Sequence, residues 1–278
     1  MREEQRQNAV WMFLTYTFVL VMVLVMLVPL YWMVVAATLP QSEFLQFPPR
    51  LFPGTAFFEN FGALQGRINF LQSVGNSVII AVVYTVLSLL LCSMAGFAFA
   101  KYEFKYKEKI FYTILATLVL PIQLLVIPLF LLMAQMGWTN TFLAIILPWA
   151  ANPIGIFLMR QNMKSIPDAL LESARMDGAS EFQIFYRIAL PTMRSSLAAL
   201  AIILFLFQWD LFLYPLVILE TPDMYTIPVA LAQLTGAQRI YYDQIMVAAS
   251  LAILPMILLF LVLQKQFVSG ILAGSLKE

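Results

Sequence analysis

Apolar runs of membrane length alternate with short polar connectors along almost the whole chain. A helix crossing about 30 Å of hydrocarbon needs roughly 20 apolar residues. Segments 10–37, 70–100, 110–136, 142–159, 197–219 and 245–263 reach or approach that length. The pattern predicts an all-α membrane protein with six transmembrane helices. The first run is too long for a signal peptide and lacks a small-residue cleavage site after a short apolar core, so it is read as a retained span. Pro121 and Pro128 are expected to break the third span, Pro148 and Pro153 the fourth, Pro215 the fifth and Pro255 the sixth. Each such proline frees backbone carbonyls that neighbours or a water-filled path must satisfy. Kinks that help helices pack account for any one of them; together they favour a transport bundle over a passive anchor.

One connector stands apart. Residues 166–191, IPDALLESARMDGASEFQIFYRIALP, carry Asp168, Glu172, Arg175, Asp177, Glu181 and Arg187 between two strongly apolar segments. Ser165 with Asp168 three residues on has the form of a capping box, and Pro167 suits a first helical turn, where no amide donor is needed. Asp177-Gly178 is a stop signal, glycine supplying a left-handed terminus. Ser180 and Gln183 then open a second helix that carries Phe182, Phe185 and Tyr186 towards Leu190-Pro191. On the first helix Ala169, Glu172 and Met176 share a face at helical spacing, with Ala179 close by in the turn. Such a face either enters a shallow cleft on a cytoplasmic partner, with Glu172 against a basic residue, or lies on the membrane surface. Few apolar residues and charges of both signs favour docking.

Charge along the chain sets the orientation. With the N-terminus inside, Arg2, Arg6, the lysines at 101, 105, 107 and 109, Arg160, Lys164, Arg175, Arg187, Arg194, Lys265 and Lys277 all fall on the cytoplasmic side. Only Arg50, Arg67 and Arg239 fall outside. The positive-inside rule therefore places both termini and the polar island in the cytoplasm. The outer loops are rich in proline and aromatic residues (Phe47-Pro48-Pro49, Leu51-Phe52-Pro53-Gly54), which suits turns folded against a membrane surface.

Composition agrees. The chain is 62% hydrophobic and 11% charged, outside the range of soluble domains, and its net charge of +1 gives no reason to expect a nucleic-acid partner. It has no histidine, one cysteine (Cys92, inside an apolar run) and no GxxxxGK[ST] phosphate loop. The commonest general base and metal ligand is thus missing. This argues against an ATPase, a metalloenzyme or a Ser-His-Asp hydrolase, and no enzymatic activity or cofactor is expected of this chain.

Asp210 is the one ionisable residue expected well inside a span, where a charge costs about 3 kcal/mol and by default marks function. It can bind polyol hydroxyls in a path, or tie its helix to a partner. Trp209 and Tyr214 beside it offer sugar-stacking faces, or simply pack. A proton-coupled transporter using Asp210 is a competing reading, opposed by the lone carboxylate, the absent histidine and the docking helix. A non-transporting scaffold is opposed by the proline-broken spans.

Glu172-Ser173-Ala174, then Asp177-Gly178-Ala179 and Ile188-Ala189-Leu190-Pro191, resembles the EAA motif of ABC importer permeases. Asn76-Ser77, the 101–109 lysine loop, Leu120-Pro121, Ile127-Pro128-Leu129, Gly137-Trp138-Thr139-Asn140-Thr141, Trp209 with Phe212, and the end from Gln264 to Lys277 follow in family order. The likeness covers nearly the whole chain. It is greatest to the second, shorter permease of maltose-type and glycerol-phosphate-type carbohydrate-branch importers. Ser173 replaces the motif's first alanine, and Asp210 stands where the family usually has asparagine. The resemblance implies a type I ABC importer permease fold divided as 1–69 (first span and outer loop), 70–264 (permease core with coupling helices at 166–191) and 265–278 (cytoplasmic tail).

It further implies an inner-membrane subunit of a bacterial or archaeal cell, working with a second homologous permease, two ABC ATPase subunits and an extracytoplasmic solute-binding protein. ATP and Mg would be bound by the ATPases. Glu172, Ser173, Ala174, Asp177 and Gly178 would form the ATPase-coupling element, and Trp209, Asp210 and Tyr214 the candidate path. The solute would be a sugar or sugar-like polyol; Ala36-Ala37-Thr38-Leu39 and Pro53-Gly54, with Glu59-Asn60 after them, lean towards a glycerol phosphate or phosphodiester. The tail at 275–278 would reach the ATPase interface.

Overall fold

The computed structural model describes residues 2–44, 46–235 and 240–275, with side chains described from 11 to 265 apart from residue 45 and residues 236–239. Arg239, Lys277 and most of the 275–278 tail, and the side chains of Arg2 and Arg6, therefore lie outside what is described. Described regular structure is helical, apart from one isolated bridge between Thr235 and Ile240. Three helices are long and apolar enough to cross a membrane alone: Trp11–Ala37, Phe70–Lys101 and Tyr242–Lys265. Three bent pairs bring the candidate spans to as many as six.

The chain folds as two compact units, residues 1–68 with 233–253, and residues 69–232 with 254–278. Within the first of these, helix Tyr242–Ala252 packs against the first helix and against Phe57–Ile68. In the first unit, the helix Arg2–Ala37 is exposed from residue 11 to 31 and buries only its last turn, at Val35, Ala36 and Ala37. Helix Phe57–Ile68 caps that end: buried Asn60 donates its amide to the carbonyls of Ala37 (3.0 Å) and Leu39 (2.8 Å), groups a helix terminus otherwise leaves without partners. The proline-rich loop after the first span is folded, as its composition suggests. Tyr31 donates to Leu51 O at 2.8 Å, Glu43 pairs with Arg50 at 2.7 Å, and Phe44 stacks on Tyr242 at 4.8 Å.

The second unit is built around the helix Phe70–Lys101, 32 residues without a break. Its main partner is the fourth-span helix Pro153–Met163, approached so closely that glycine is required on both sides. A Cβ at Gly96 would lie 2.5 Å from Met159 Cβ, and one at Gly155 would lie 2.7 Å from Cys92 Sγ. Small residues at the contact let backbones approach in a bilayer, where van der Waals packing replaces the hydrophobic drive between helices.

Proline position decides which expected breaks occur. The third span bends by 103° between Lys107–Val119 and Ile122–Gln135, at Pro121, sharply enough to be a broken span or a re-entrant segment. Pro128 lies inside the second half and breaks nothing. The fourth bends by 43° between Phe142–Trp149, which contains Pro148, and Pro153–Met163, with Pro153 opening the second half behind an Asn152 cap that accepts from Ile154 N at 3.0 Å and Gly155 N at 3.2 Å. The fifth-span helix runs Arg194–Trp209 and stops at residues 210–212, upstream of Pro215. Pro215 sits in the first turn of Leu213–Ile218, where its missing N–H costs nothing. Pro255 likewise opens a helix, Leu254–Ser275.

Candidate functional site

The polar island forms two helices, Asp168–Met176 and Glu181–Ile184, joined by a tight turn. The turn is a Schellman motif. Gly178 has φ +81°, its N–H reaches Arg175 O, and Ala179 N reaches Ala174 O, both at 3.0 Å. The second helix opens with the expected capping box: Ser180 Oγ accepts from Gln183 N at 3.3 Å, and Gln183 Oε1 accepts from Ser180 N at 2.8 Å. The first helix does not open as expected. Ser165 is no N-cap; its hydroxyl donates back to Asn162 O at 2.7 Å, closing the fourth-span helix. Helix begins only at Asp168, after Pro167, because proline pushes the residue before it towards extended backbone.

The first island helix has two faces. Leu171 is buried, and Ala174 and Ala179 pack on the core, so the motif alanine serves close approach to its own bundle. Outward stand Ala169, Glu172, Ser173, Met176, Asp177 and Gly178, all exposed. Ser173 Oγ donates to Ala169 O at 2.8 Å, while Glu172 makes no hydrogen bond or ion pair with any described residue. Exposed Phe182 and Tyr186 stack beside this face at 6.3 Å, and Met176 is 84% exposed.

Charges that look free in sequence hold the island in place. Lys101, whose side chain is 4% exposed, donates to Ile166 O and pairs with Asp168 at 2.7 Å. Tyr102 donates to Glu181, which also takes the guanidinium of Arg175 at 2.8 and 3.3 Å. The Lys101 hydrogen bond holds the Asp168 carboxyl below its ordinary value, and Arg175, then Tyr102, do the same for Glu181. Burial, then the bond to Glu181, pushes the Tyr102 phenol up to about 12. Sequence reading marked Lys101 only as part of the 101–109 lysine loop and did not mark Tyr102; each meets a partner more than sixty residues away.

The second candidate region lies where the third and fifth spans break. A cavity of about 420 Å³ opens there, lined by Ile122, Gln123, Leu206, Phe207, Asp210 and Phe212 among others. Asp210 ends the fifth-span helix instead of standing inside it, and its exposed side chain makes no ion pair with described residues. Trp209 and Tyr214 do not line the cavity. Trp209 is buried and stacks on Phe205 at 5.4 Å, and Tyr214 is fully buried with its ring edge-on to Trp149 at 5.9 Å. Another charged side chain is buried within the bundle near the end of the fourth-span helix. The fourth-span helix continues beyond 159 and buries Arg160, which pairs with Glu108, donates to Phe99 O at 3.3 Å and lies over the Phe111 ring at 3.9 Å. Among the described residues no group of His, Cys, Asp and Glu side chains is arranged to hold a metal ion.

The family model for the binding-protein-dependent transport system inner membrane component matches residues 88–272. The chain belongs to that family. It is 39% identical to the lactose transport system permease protein LacG of Rhizobium radiobacter, over 90% of each chain. It is 38% identical to the arabinooligosaccharides transport system permease protein AraQ of Halalkalibacterium halodurans, again over 90% of each. A third relative, the sn-glycerol-3-phosphate transport system permease protein UgpE of Escherichia coli, is 30% identical over 95% of this chain and 98% of its own. In three dimensions the permease is similar to a chain of a bacterial ABC transporter involved in import of the acidic polysaccharide alginate, with a TM-score of 0.81 at 21% identity, covering 94% of this chain and 98% of that one. That likeness shows the fold, an all-helical ABC permease fold. The relatives are carbohydrate-uptake and glycerol-phosphate permeases, and this chain is an inner-membrane permease of the same group.

Proposed function

We propose that this chain is a permease subunit of an ATP-driven, binding-protein-dependent importer for a sugar or sugar-like polyol. It crosses the membrane six times with both termini cytoplasmic and forms half of a path completed by a second, homologous permease. Two ABC ATPase subunits, which bind ATP and Mg, dock on its island helices, and an extracytoplasmic solute-binding protein delivers the solute. The observation that carries this reading is Glu172. It is an exposed carboxylate, without a pairing partner among the described residues, on a helix whose opposite face is packed and whose ends are held, the arrangement a rigid element needs to seat in a basic cleft.

Glu172 meets the ATPase, Ser173 keeps the face small, Ala174 lets the helix lie close to its bundle, and Asp177-Gly178 make the turn. ATPase closure then moves the island and alters access to the path. Identities of 38–39% to sugar permeases, against 30% to a glycerol-phosphate permease, support a sugar as the solute class. The cavity with Asp210 is the part of the path this subunit supplies; Trp209 and Tyr214 shape it from behind.

The test is uptake into vesicles by the complex assembled with its ATPases, second permease and binding protein. Glu172→Lys should abolish solute uptake and the ATPase response to loaded binding protein while leaving the subunit inserted. Unchanged uptake and unchanged response would sink the coupling assignment. Asp210→Asn separates this reading from proton coupling: an ATP-driven importer should largely tolerate it, whereas a proton-coupled carrier should fail.

A further inference from the structure

We propose that the second span works as a two-ended rod between the island and the outer connector 222–227. Lys101 and Tyr102 are its positioning residues at the cytoplasmic end, and Asn76 and Ser77 at the other. This inference rests on the importer reading above and adds the route by which motion leaves the coupling element.

A rod needs a firm grip at one end, stiffness between, and a grip at the other. At the cytoplasmic end the grip is multiple. Lys101 takes the entrance of the first island helix through Ile166 O and Asp168, and Tyr102 takes the start of the second through Glu181. Arg175 cross-ties the two island helices through the same carboxylate. Beneath them the Phe97 ring contacts Tyr102 at 5.6 Å and Phe185 at 5.5 Å. Both island helices are therefore bound to the last turn of one span, and the glycine turn between them cannot hinge without breaking a charged contact.

Stiffness follows from the helix itself. It has no proline, and its 32 residues span about 48 Å at 1.5 Å per residue. The two candidate spans that follow are bent by 103° and 43°. At the far end, buried Asn76 donates to Asp223 O at 2.7 Å and Tyr225 O at 3.0 Å, while Ser77 Oγ accepts from Ile227 N at 2.8 Å. Gln72 donates to Asn76 Oδ1 at 3.1 Å and fixes the orientation of that amide. A displacement at the island thus reaches the outer connector through one unbroken helix, and a push on the connector returns the same way.

The experiment uses the whole complex in vesicles and reads solute imported per ATP hydrolysed, with the stimulation of ATPase activity by loaded binding protein. Lys101→Met and Asn76→Ala should each lower both by about fivefold or more, the range of ordinary coupling between sites. Lys101→Arg, which keeps the cation, should restore most of the loss. The double variant should be no worse than the poorer single, because both cut one route in series. Tyr102→Phe removes a single hydroxyl and should lower import per ATP if Lys101→Met fails to assemble. Assembled variants with an unchanged ratio, or double-variant losses that multiply, overturn the rod. An unmodified complex that shows no ATP-driven import overturns the importer reading itself, and the rod with it.

Discussion

Gly96→Ala should loosen the bundle, although alanine is the better helix former. The added Cβ would lie 2.5 Å from Met159 Cβ, 2.8 Å from Arg160 N and 2.9 Å from the Met159 carbonyl carbon. Carbon atoms in ordinary contact sit about 3.5–4.0 Å apart, so the shortfall is about 1 Å. Backbone and Cβ atoms stand in the way, and no rotamer change moves them. The second- and fourth-span helices must separate, and buried Met159 and Arg160 lose contacts. Overpacking of this kind costs about 1–3 kcal/mol. The propensity gain from glycine to alanine is about 1 kcal/mol, so a net loss of up to about 2 kcal/mol is expected. Gly75, on the same helix, is the control: nothing lies within 4 Å of its built Cβ. Gly75→Ala should be neutral or stabilising by up to about 1 kcal/mol. The assay is denaturant titration of the purified subunit in mixed micelles, followed by tryptophan fluorescence. Equal shifts for the two variants, or a more stable Gly96→Ala, would refute the steric reasoning.

Two further outcomes are expected. Glu108→Gln should destabilise more than Arg160→Met, although each removes the same pair: the Arg160 side chain is 6% exposed and that of Glu108 is 52% exposed. Losing the carboxylate strands a buried cation, a change worth up to about 3–5 kcal/mol and less here because Glu108 is half exposed. Losing the arginine leaves Glu108 free to hydrate, and the reverse order in the same titration would contradict this. The island's charged contacts should also be pH-limited. Asp168 and Glu181 have lowered folded values, so their contribution is complete above the ordinary carboxylate range and is lost as pH falls through the folded ones. Tyr102 has a raised value, so its contribution is complete below 10 and is lost as pH rises through about 12. Hydrogen exchange of residues 166–190, corrected for intrinsic rate, should show protection falling as pH drops below the ordinary carboxylate range; constant protection on full acidification would count against the ion pairs.

Local chemistry was readable and long-range pairing was not. The Gly178 turn and the Ser180–Gln183 box followed from residue order because each is settled within one turn of backbone. The Ser165 cap failed for an equally local reason, the proline two residues on, which outweighed the capping pattern. Trp209 and Tyr214 appeared to share a surface with Asp210 only on an unbroken helix. The helix stops at 210–212, where no proline or glycine announces it, and both aromatic rings turn into the core.

By itself the sequence determined that this is a helical membrane protein with membrane-length runs, a capped two-helix island and a family-specific motif, because hydrophobic length, caps and turns are properties of neighbouring residues. The tertiary structure alone decided which charges are free and which are held. Lys101 meets Asp168 across 67 positions and Asn76 meets Asp223 across 147, and nothing in either neighbourhood names its partner. Each depends on which helices pack together, and the glycines at 96 and 155 set one such approach, between Phe70–Lys101 and Pro153–Met163; Glu172, on the outward face of its helix, meets no partner among the described residues.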